Sequence, residues 1–223
     1  MDQIIIGDKA SIDDFSASVA SRKIKMPKKK SIKESVPFSN ITHDFSAIDG
    51  EIYWEDRELE YVFEITANNP EELEALKSQF CSWVMGVMNQ ELHDPYIPDY
   101  HFLATYDSMD TEDDDGLDKS TLTVKFTAYP YMISNDKTVY IDSISRNEKK
   151  IIEVNNESAH SVALTIENSV QIYIRTGSAS ATLPVGSSTY STLKLLPGVH
   201  EIEIYNSEAR TGTVQISFSK EVF

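Results

Sequence analysis

The chain has 223 residues, 40% of them hydrophobic, and 36 acidic side chains against 20 basic ones give it a formal charge of −16. The length allows one large domain or two small ones, and the composition is that of a folded globular chain. The acidic balance argues against wrapping nucleic acid, a single cysteine excludes an intramolecular disulfide framework, and no apolar run is long enough for a membrane-spanning helix.

The N-terminus, MDQIIIGDKAS, sets three isoleucines among acids without a basic n-region. No secretory signal is expected there, and synthesis and assembly in a cytoplasm are. Residues 3–6 read as a short strand. The stretch SRKIKMPKKKSIKES then packs Arg22, Lys23, Lys25, Lys28, Lys29, Lys30 and Lys33 into twelve positions. It reads either as a solvated basic loop or as an extended arm that pairs with an acidic neighbouring subunit, with Lys28, Lys29 and Lys30 as the residues making that contact.

Residues 52–67 read as strands. In LEYVFEITA, Leu59, Tyr61, Phe63 and Ile65 alternate with the remaining positions, which puts one set inward and the other outward. An Asp49-Gly50 turn precedes them. Residues 69–89 predict the main helix. Asn69 is a good N-cap, Pro70 fits the first helical position, and Glu72 completes a capping-box pattern. Leu73, Leu76, Phe80, Trp83, Val84 and Val87 form one apolar stripe at helical spacing. Cys81 lies at its edge, where a small half-buried side chain is a better reading than a nucleophile.

Strands are expected over 100–106 and 121–129. Between them, seven acids fall within residues 107–118. Such a run predicts an exposed hairpin loop. A Tyr-Pro-Tyr step at 129–131 then suggests a domain boundary near 135. Residues 1–135 carry 12 basic and 26 acidic residues, a net of −14; residues 136–223 carry 8 and 10, a net of −2. From 34 to 135 alone the net is −18. After 136 short strands are expected over 151–154, 162–166, 171–175, 190–195, 199–205 and 213–218. Their turn signals (NNES, NS, GSAS, PVGSS, LPGVH, NSEARTG) suggest an antiparallel sandwich or jelly roll. The fold class expected is mostly β: an α+β first domain over 1–135 and a β-sandwich over 136–223.

Chemistry is harder to find. The five histidines match no zinc spacing. His93, Asp94, Asp99 and His101 are close in sequence, but Pro95 and Pro98 break any regular face, so no metal is expected. The acidic run has a glycine but no terminal Glu for a calcium loop. GxSxG, Walker and GxGxxG motifs are absent, and Cys81 has no evident histidine partner. No catalytic residue, cofactor or enzymatic activity is expected. Both tryptophans, Trp54 and Trp83, fall in the first domain, which weakens a saccharide-binding reading of the second.

The order of features carries a resemblance. A basic Pro-Lys stretch (MPKKKSIKESVPFSN) precedes an Asp-Gly turn and an aromatic strand (DFSAIDGEIYWEDRELEYVFEI). A capped helix with a Trp-containing end (NNPEELEALKSQFCSWVMGVMN), LHDPYIPDYHFLATY and STLTVKFTAYPYMI follow. Over residues 20–135 this resembles the N-terminal domain of the distal tail proteins (Dit) of long-tailed, non-contractile bacteriophages and related prophages. The resemblance implies a hexameric ring formed through that domain, at the end of the tail tube. It implies tail-tube and tail-tip, baseplate or receptor-binding proteins as partners, and a galectin-like C-terminal sandwich. Location in the virion, no specific nucleic-acid binding and no membrane insertion complete the expectation. If the acidic body faced a ring lumen, Asp113, Asp114 and Asp115 would repel passing DNA rather than hold it. The alternatives are a host cell-wall saccharide-binding adhesion protein and a tail-tube protein.

Overall fold

The computed structural model describes residues 2–35, 38, 40, 42–46, 52–113 and 118–223, without the side chains of 42–44 and 113. The chain divides into two compact units, Met1–Met132 with Phe223, and Ile133–Val222. Both are mostly β and antiparallel.

The first unit contains β1 (Ile5–Ile6), β2 (Lys9–Ala10), α1 (Ser11–Phe15), β3 (Ala17–Ile24), β4 (Lys33–Ser35), β5 (Thr42–Asp44), β6 (Arg57–Thr66), α2 (Pro70–Met85), β7 (Gln90–His93), β8 (Tyr100–Asp113) and β9 (Lys119–Ala128). Its centre is the β6–β9 pair, which runs without a bulge from Arg57 opposite Ala128 to Thr66 opposite Lys119. The alternation read from the sequence is the burial pattern observed. Leu59, Tyr61, Phe63 and Ile65 are fully buried on β6, as are Leu122, Val124 and Phe126 on β9. β3 flanks β6, and β8, β7, β1 and β2 follow β9 in that order. Val19 N donates to Asp2 O at 2.7 Å, which brings β3 back to the residues just before β1.

α2 covers this core. The Asn69 side chain accepts from Glu72 N at 2.9 Å, as a cap should. The reciprocal bond differs from the expected box: Glu72 Oε2 accepts from the backbone N of Asn68, at 3.0 Å, not from Asn69. The helix also ends at Met85 rather than 89. The reason is that Val87 O accepts from Tyr106 N at 2.9 Å, so the chain leaves the helix to meet β8. Phe80 carries the packing. Its ring centroid lies 4.9 Å from that of Phe63, 5.9 Å from Phe15 and 5.6 Å from Trp83.

The acidic run departs from expectation. β8 continues as strand through Asp113, so the first four acids of the run lie in a strand and not in a loop, Asp107 at a bulge and Asp110, Glu112 and Asp113 on the ladder. Asp110 and Glu112 occupy outward positions opposite Thr123 and Thr121, while Met109 turns inward against the core. The carboxylates stay in water while the backbone is satisfied by β9, so charge does not forbid the strand.

The second unit contains β10 (Met132–Ile144), β11 (Lys149–Asn156), β12 (Val162–Asn168), β13 (Ile172–Thr176), β14 (Ala179–Leu183), β15 (Gly186–Leu195), β16 (Gly198–Asn206) and β17 (Gly212–Val222). β10 and β14 are strands that the sequence reading does not isolate. The strands form two four-stranded arrays, β15-β12-β17-β10 and β11-β16-β13-β14. Their inward residues, among them Leu164, Ile166, Ile174, Ile202 and Ile216, make one core.

The chain crosses between these arrays six times, and three buried asparagines tie the crossings in pairs. Asn206 Nδ2 donates to Arg210 O at 2.8 Å in its own corner and to Ile144 O and Ser145 O, each at 3.2 Å, in the β10–β11 corner. Asn156 Nδ2 donates to His160 O and to Leu195 O, at 3.2 and 2.8 Å. Asn168 Nδ2 donates to Val170 O and Pro184 O, at 2.7 and 2.8 Å. Gly212 is required beside this last corner: a Cβ there would lie 2.4 Å from Val170 Cγ2.

Two substitutions test this packing. Asn206→Ala strands buried carbonyls at two corners and should destabilise the protein by about 2–4 kcal/mol in chemical denaturation. Phe80→Ala should cost about 3–5 kcal/mol in the same assay.

Candidate functional site

The segment between β3 and β6 is where the sequence placed its basic arm. The β3–β6 pairing does not stop at Ile24. Lys25 N donates to Glu58 O at 3.0 Å, Glu55 N to Lys28 O at 2.7 Å and Lys30 N to Tyr53 O at 2.8 Å. Lys29 and Trp54 form an antiparallel bridge. Further along, Phe45 N donates to Ile32 O at 2.8 Å, and β4 pairs with β5. The basic stretch is therefore one leg of a paired β excursion, not a solvated loop. Lys28, Lys29 and Lys30 are all exposed, and among the described residues none of them makes an ion pair. Lys25 does, with Glu58 at 2.6 Å.

The same excursion exposes Met26, Ile32, Phe38, Phe45, Ile52 and Tyr53. Large apolar side chains concentrated on one exposed segment are uncommon on the surface of a folded chain. The sequence reading weighed only the charge here. The signal that it passed over is the apolar residues interleaved with the lysines.

The candidate lumen residues cannot be placed in the same way. Asp114 and Asp115 lie outside the described residues, and for Asp113 only the backbone is described, as the end of β8 opposite Ser120.

His93, Asp94, Asp99 and His101 do not form one cluster. β7 and β8 form a hairpin in which His93 stands directly opposite His101. Pro95 and Pro98 lie in its turn, so the prolines make the bend that brings the two histidines together. Asp99 does not join them. Glu91 does, two residues before His93 on the same face: Glu91, His93 and His101 each offer a ligand atom within 4.8 Å of the others.

Asp94 is buried and faces elsewhere. Tyr61 Oη donates to its Oδ2 at 3.2 Å, and Tyr96 N donates to its Oδ1 at 3.0 Å. Arg22 Nε lies 3.1 Å from Oδ2, close enough for an ion pair. The Arg22 guanidinium also sits 5.0 Å from the centre of the Tyr96 ring. Burial first, and the Asp94 charge second, push the Tyr61 hydroxyl well above its ordinary pKa, so it remains a donor. This network joins β3, β6 and the β7–β8 turn and is structural. Arg57 is a buried cation that the sequence did not flag. Its Nε donates to Pro130 O at 3.1 Å, and burial lowers its pKa. Cys81 lies half-buried, its Sγ 3.9 Å from Met109 Sδ, and burial pushes its thiol pKa up, the wrong direction for a nucleophile.

No family model matches the sequence, and no curated protein matches it. Among solved structures, the chain is similar to the SPP1 Dit protein (gp 19.1), described as a paradigm of the hub adsorption apparatus in phages that infect Gram-positive bacteria. The match covers 97% of this chain and 98% of that one, with a TM-score of 0.67 and 10% sequence identity. The activated phage p2 baseplate with Sr also matches, over 97% of each chain and at 10% identity, but its TM-score of 0.42 does not establish a common fold. The shared fold is thus that of Dit, the one the sequence resemblance implied.

Removing the Asp94 carboxylate should be more damaging than removing one donor to it. Asp94→Ala takes the acceptor from Tyr61 and leaves Arg22 with Asp2 alone, at 3.3 Å, and should cost about 2–3 kcal/mol, whereas Tyr61→Phe should cost about 1 kcal/mol, both read from denaturation midpoints.

Proposed function

We propose that this chain is a structural protein of a phage tail, a hub that forms a ring at the distal end of the tail tube and joins it to the host-adsorption apparatus. The observation that carries the reading is the Dit fold, matched over nearly the whole of both chains. On this reading the protein carries out no reaction, and its work is binding and symmetry. Its partners are copies of itself, the tube protein and tail-tip, baseplate or receptor-binding proteins. It is made in the host cytoplasm, from a virion or a prophage genome, and ends in the virion.

Closing a ring needs a heterologous interface, in which one patch meets a different patch on the next copy. The β excursion suits one side of it, with exposed lysines and apolar side chains on a paired backbone. The other side is acidic by composition: residues 57–135, beyond the excursion, carry 4 basic and 16 acidic residues, a net of −12, against the lysine leg. Opposite charges on the two patches set register and offset repulsion between copies. A hexameric ring leaves a channel, and an acidic wall at Asp113, Asp114 and Asp115 lets DNA slide past.

A second reading has one specific observation in its favour. Tyr173 and Tyr205 stand opposite each other on β13 and β16, and both are exposed. Adjacent exposed aromatics are the platform on which a sugar ring stacks, which would make the second unit a cell-wall saccharide binder. A cell-wall pull-down that Tyr173→Ala abolishes would favour this reading.

Light scattering with negative-stain imaging tests the leading one. A closed six-fold ring is expected; a long stacked tube would point instead to a tube protein. Changing Lys28, Lys29 and Lys30 together to Glu should shift the distribution toward monomer, and added salt should do the same to the unaltered protein. An unaltered ring after both treatments would remove the arm from the interface.

A further inference from the structure

We propose that Glu91, His93 and His101 form a binding site for a late first-row divalent metal ion, with zinc as the reference ion. The site follows from the hairpin. His93 and His101 are direct cross-strand partners, and side chains so placed rise from the same face with their Cβ atoms about 5 Å apart. Glu91 precedes His93 by two residues, so the strand's period of two puts it on that face as well. Three ligands from two short adjacent strands are therefore brought together by backbone pairing alone.

The distances fit. Glu91 Oε2 lies 3.4 Å from His93 Nε2, and Glu91 Oε1 lies 3.9 Å from His101 Nε2. All three ligand atoms lie within 4.8 Å of one another. In a tetrahedral site with zinc–ligand bonds of about 2.0–2.1 Å, ligand atoms sit about 3.3 Å apart. The set is a little wider than that, and rotation about side-chain torsions closes the difference without moving the strands. The two imidazole rings already face each other, with centroids 5.1 Å apart and planes 40° from parallel.

Exposure gives the site a floor and a mouth. The side chains of His101, His93 and Glu91 are 10%, 36% and 61% exposed. His101 forms the buried wall, and Glu91 opens to solvent, which leaves the remaining coordination positions to water. Two imidazoles and one carboxylate select for zinc, copper or nickel over calcium or magnesium, which prefer all-oxygen sets. A bound ion would pin β7 to β8 at the root of the turn that carries Asp94.

The test is titration of the chelator-treated full chain with Zn²⁺ against a chromogenic competitor, followed by Co²⁺ as a spectroscopic probe. One ion per chain should bind, excess Mg²⁺ should not displace it, and Co²⁺ should give the visible absorption of a low-coordinate nitrogen–oxygen site. His93→Gln and Glu91→Gln should each weaken binding by about tenfold or more, since partners outside the coordination shell already account for that much. Zn²⁺ should raise the melting temperature of the unaltered chain and not that of these variants. Both lie on the exposed side of the site, so they remain informative if His101→Gln fails to fold. A His160→Gln control, in the second unit, should bind as the unaltered chain does. Absence of binding by the unaltered chain, or equal binding by His93→Gln and Glu91→Gln, would overturn the proposal.

Discussion

The first unit depends on the unbroken ten-residue pairing of β6 with β9. A slip of one residue in that ladder would turn Leu59, Tyr61, Phe63 and Ile65 to the opposite face and expose the core they form. The ladder fixes what lies to either side. Beyond β9, β8 is held straight enough for Asp110 and Glu112 to stand in water on a regular strand. Beyond β6, the pairing with β3 is carried past Ile24 into the lysine-rich leg, which gives that leg a defined backbone. The candidate interface is therefore an extension of the core sheet and inherits its register.

The second unit answers to a different constraint. A chain that crosses between two sheets must leave its ladder at every corner, and the carbonyls freed there are too buried to be satisfied by bulk water. Asparagine resolves this because its amide nitrogen carries two donors and its carbonyl can accept from the next turn. Asn156 and Asn206 use both halves, with Oδ1 accepting from Ser158 N and Glu208 N respectively, each at 2.9 Å. Each asparagine holds its own corner and a corner distant in sequence. The crossings are therefore stapled in pairs, six corners held as three fixed pairs.

Much of this was legible in the sequence where one face of an element is buried. The alternation in LEYVFEITA and STLTVKFTA is a direct print of the core, and the Asn69-Pro70-Glu72 cap located α2 to within its last turn. Legibility failed where the deciding partner is far away in the chain. The acidic run read as a loop because its charge was visible and the length of its pairing with β9, on to Asp113 opposite Ser120, was not. Pro95 and Pro98 read as disruption because a turn and a break look alike until the strands on either side are seen to pair. The buried asparagines carry turn-forming letters, so NNES, NS and NSEARTG were correctly read as corners. That their amides reach across to other corners left no local trace. The lysines of the arm were plain, but Met26 and Ile32 among them, and Ile52 and Tyr53 on the facing leg, gained meaning only once the core was seen to close without them.

The same distinction explains how a fold is kept at 10% identity. What the β6–β9 ladder requires of its inward positions is apolar bulk and a period of two, and many residues supply that. What a sheet crossing requires is narrower: a side chain whose amide nitrogen donates to carbonyls at two buried corners, and a residue without Cβ where Gly212 meets Val170. Sequence identity counts letters and weights these demands alike, although the first tolerates wide replacement and the second very little. The resemblance was visible in the order of features over residues 20–135, the basic stretch, the aromatic strand and the capped helix, rather than in any single motif.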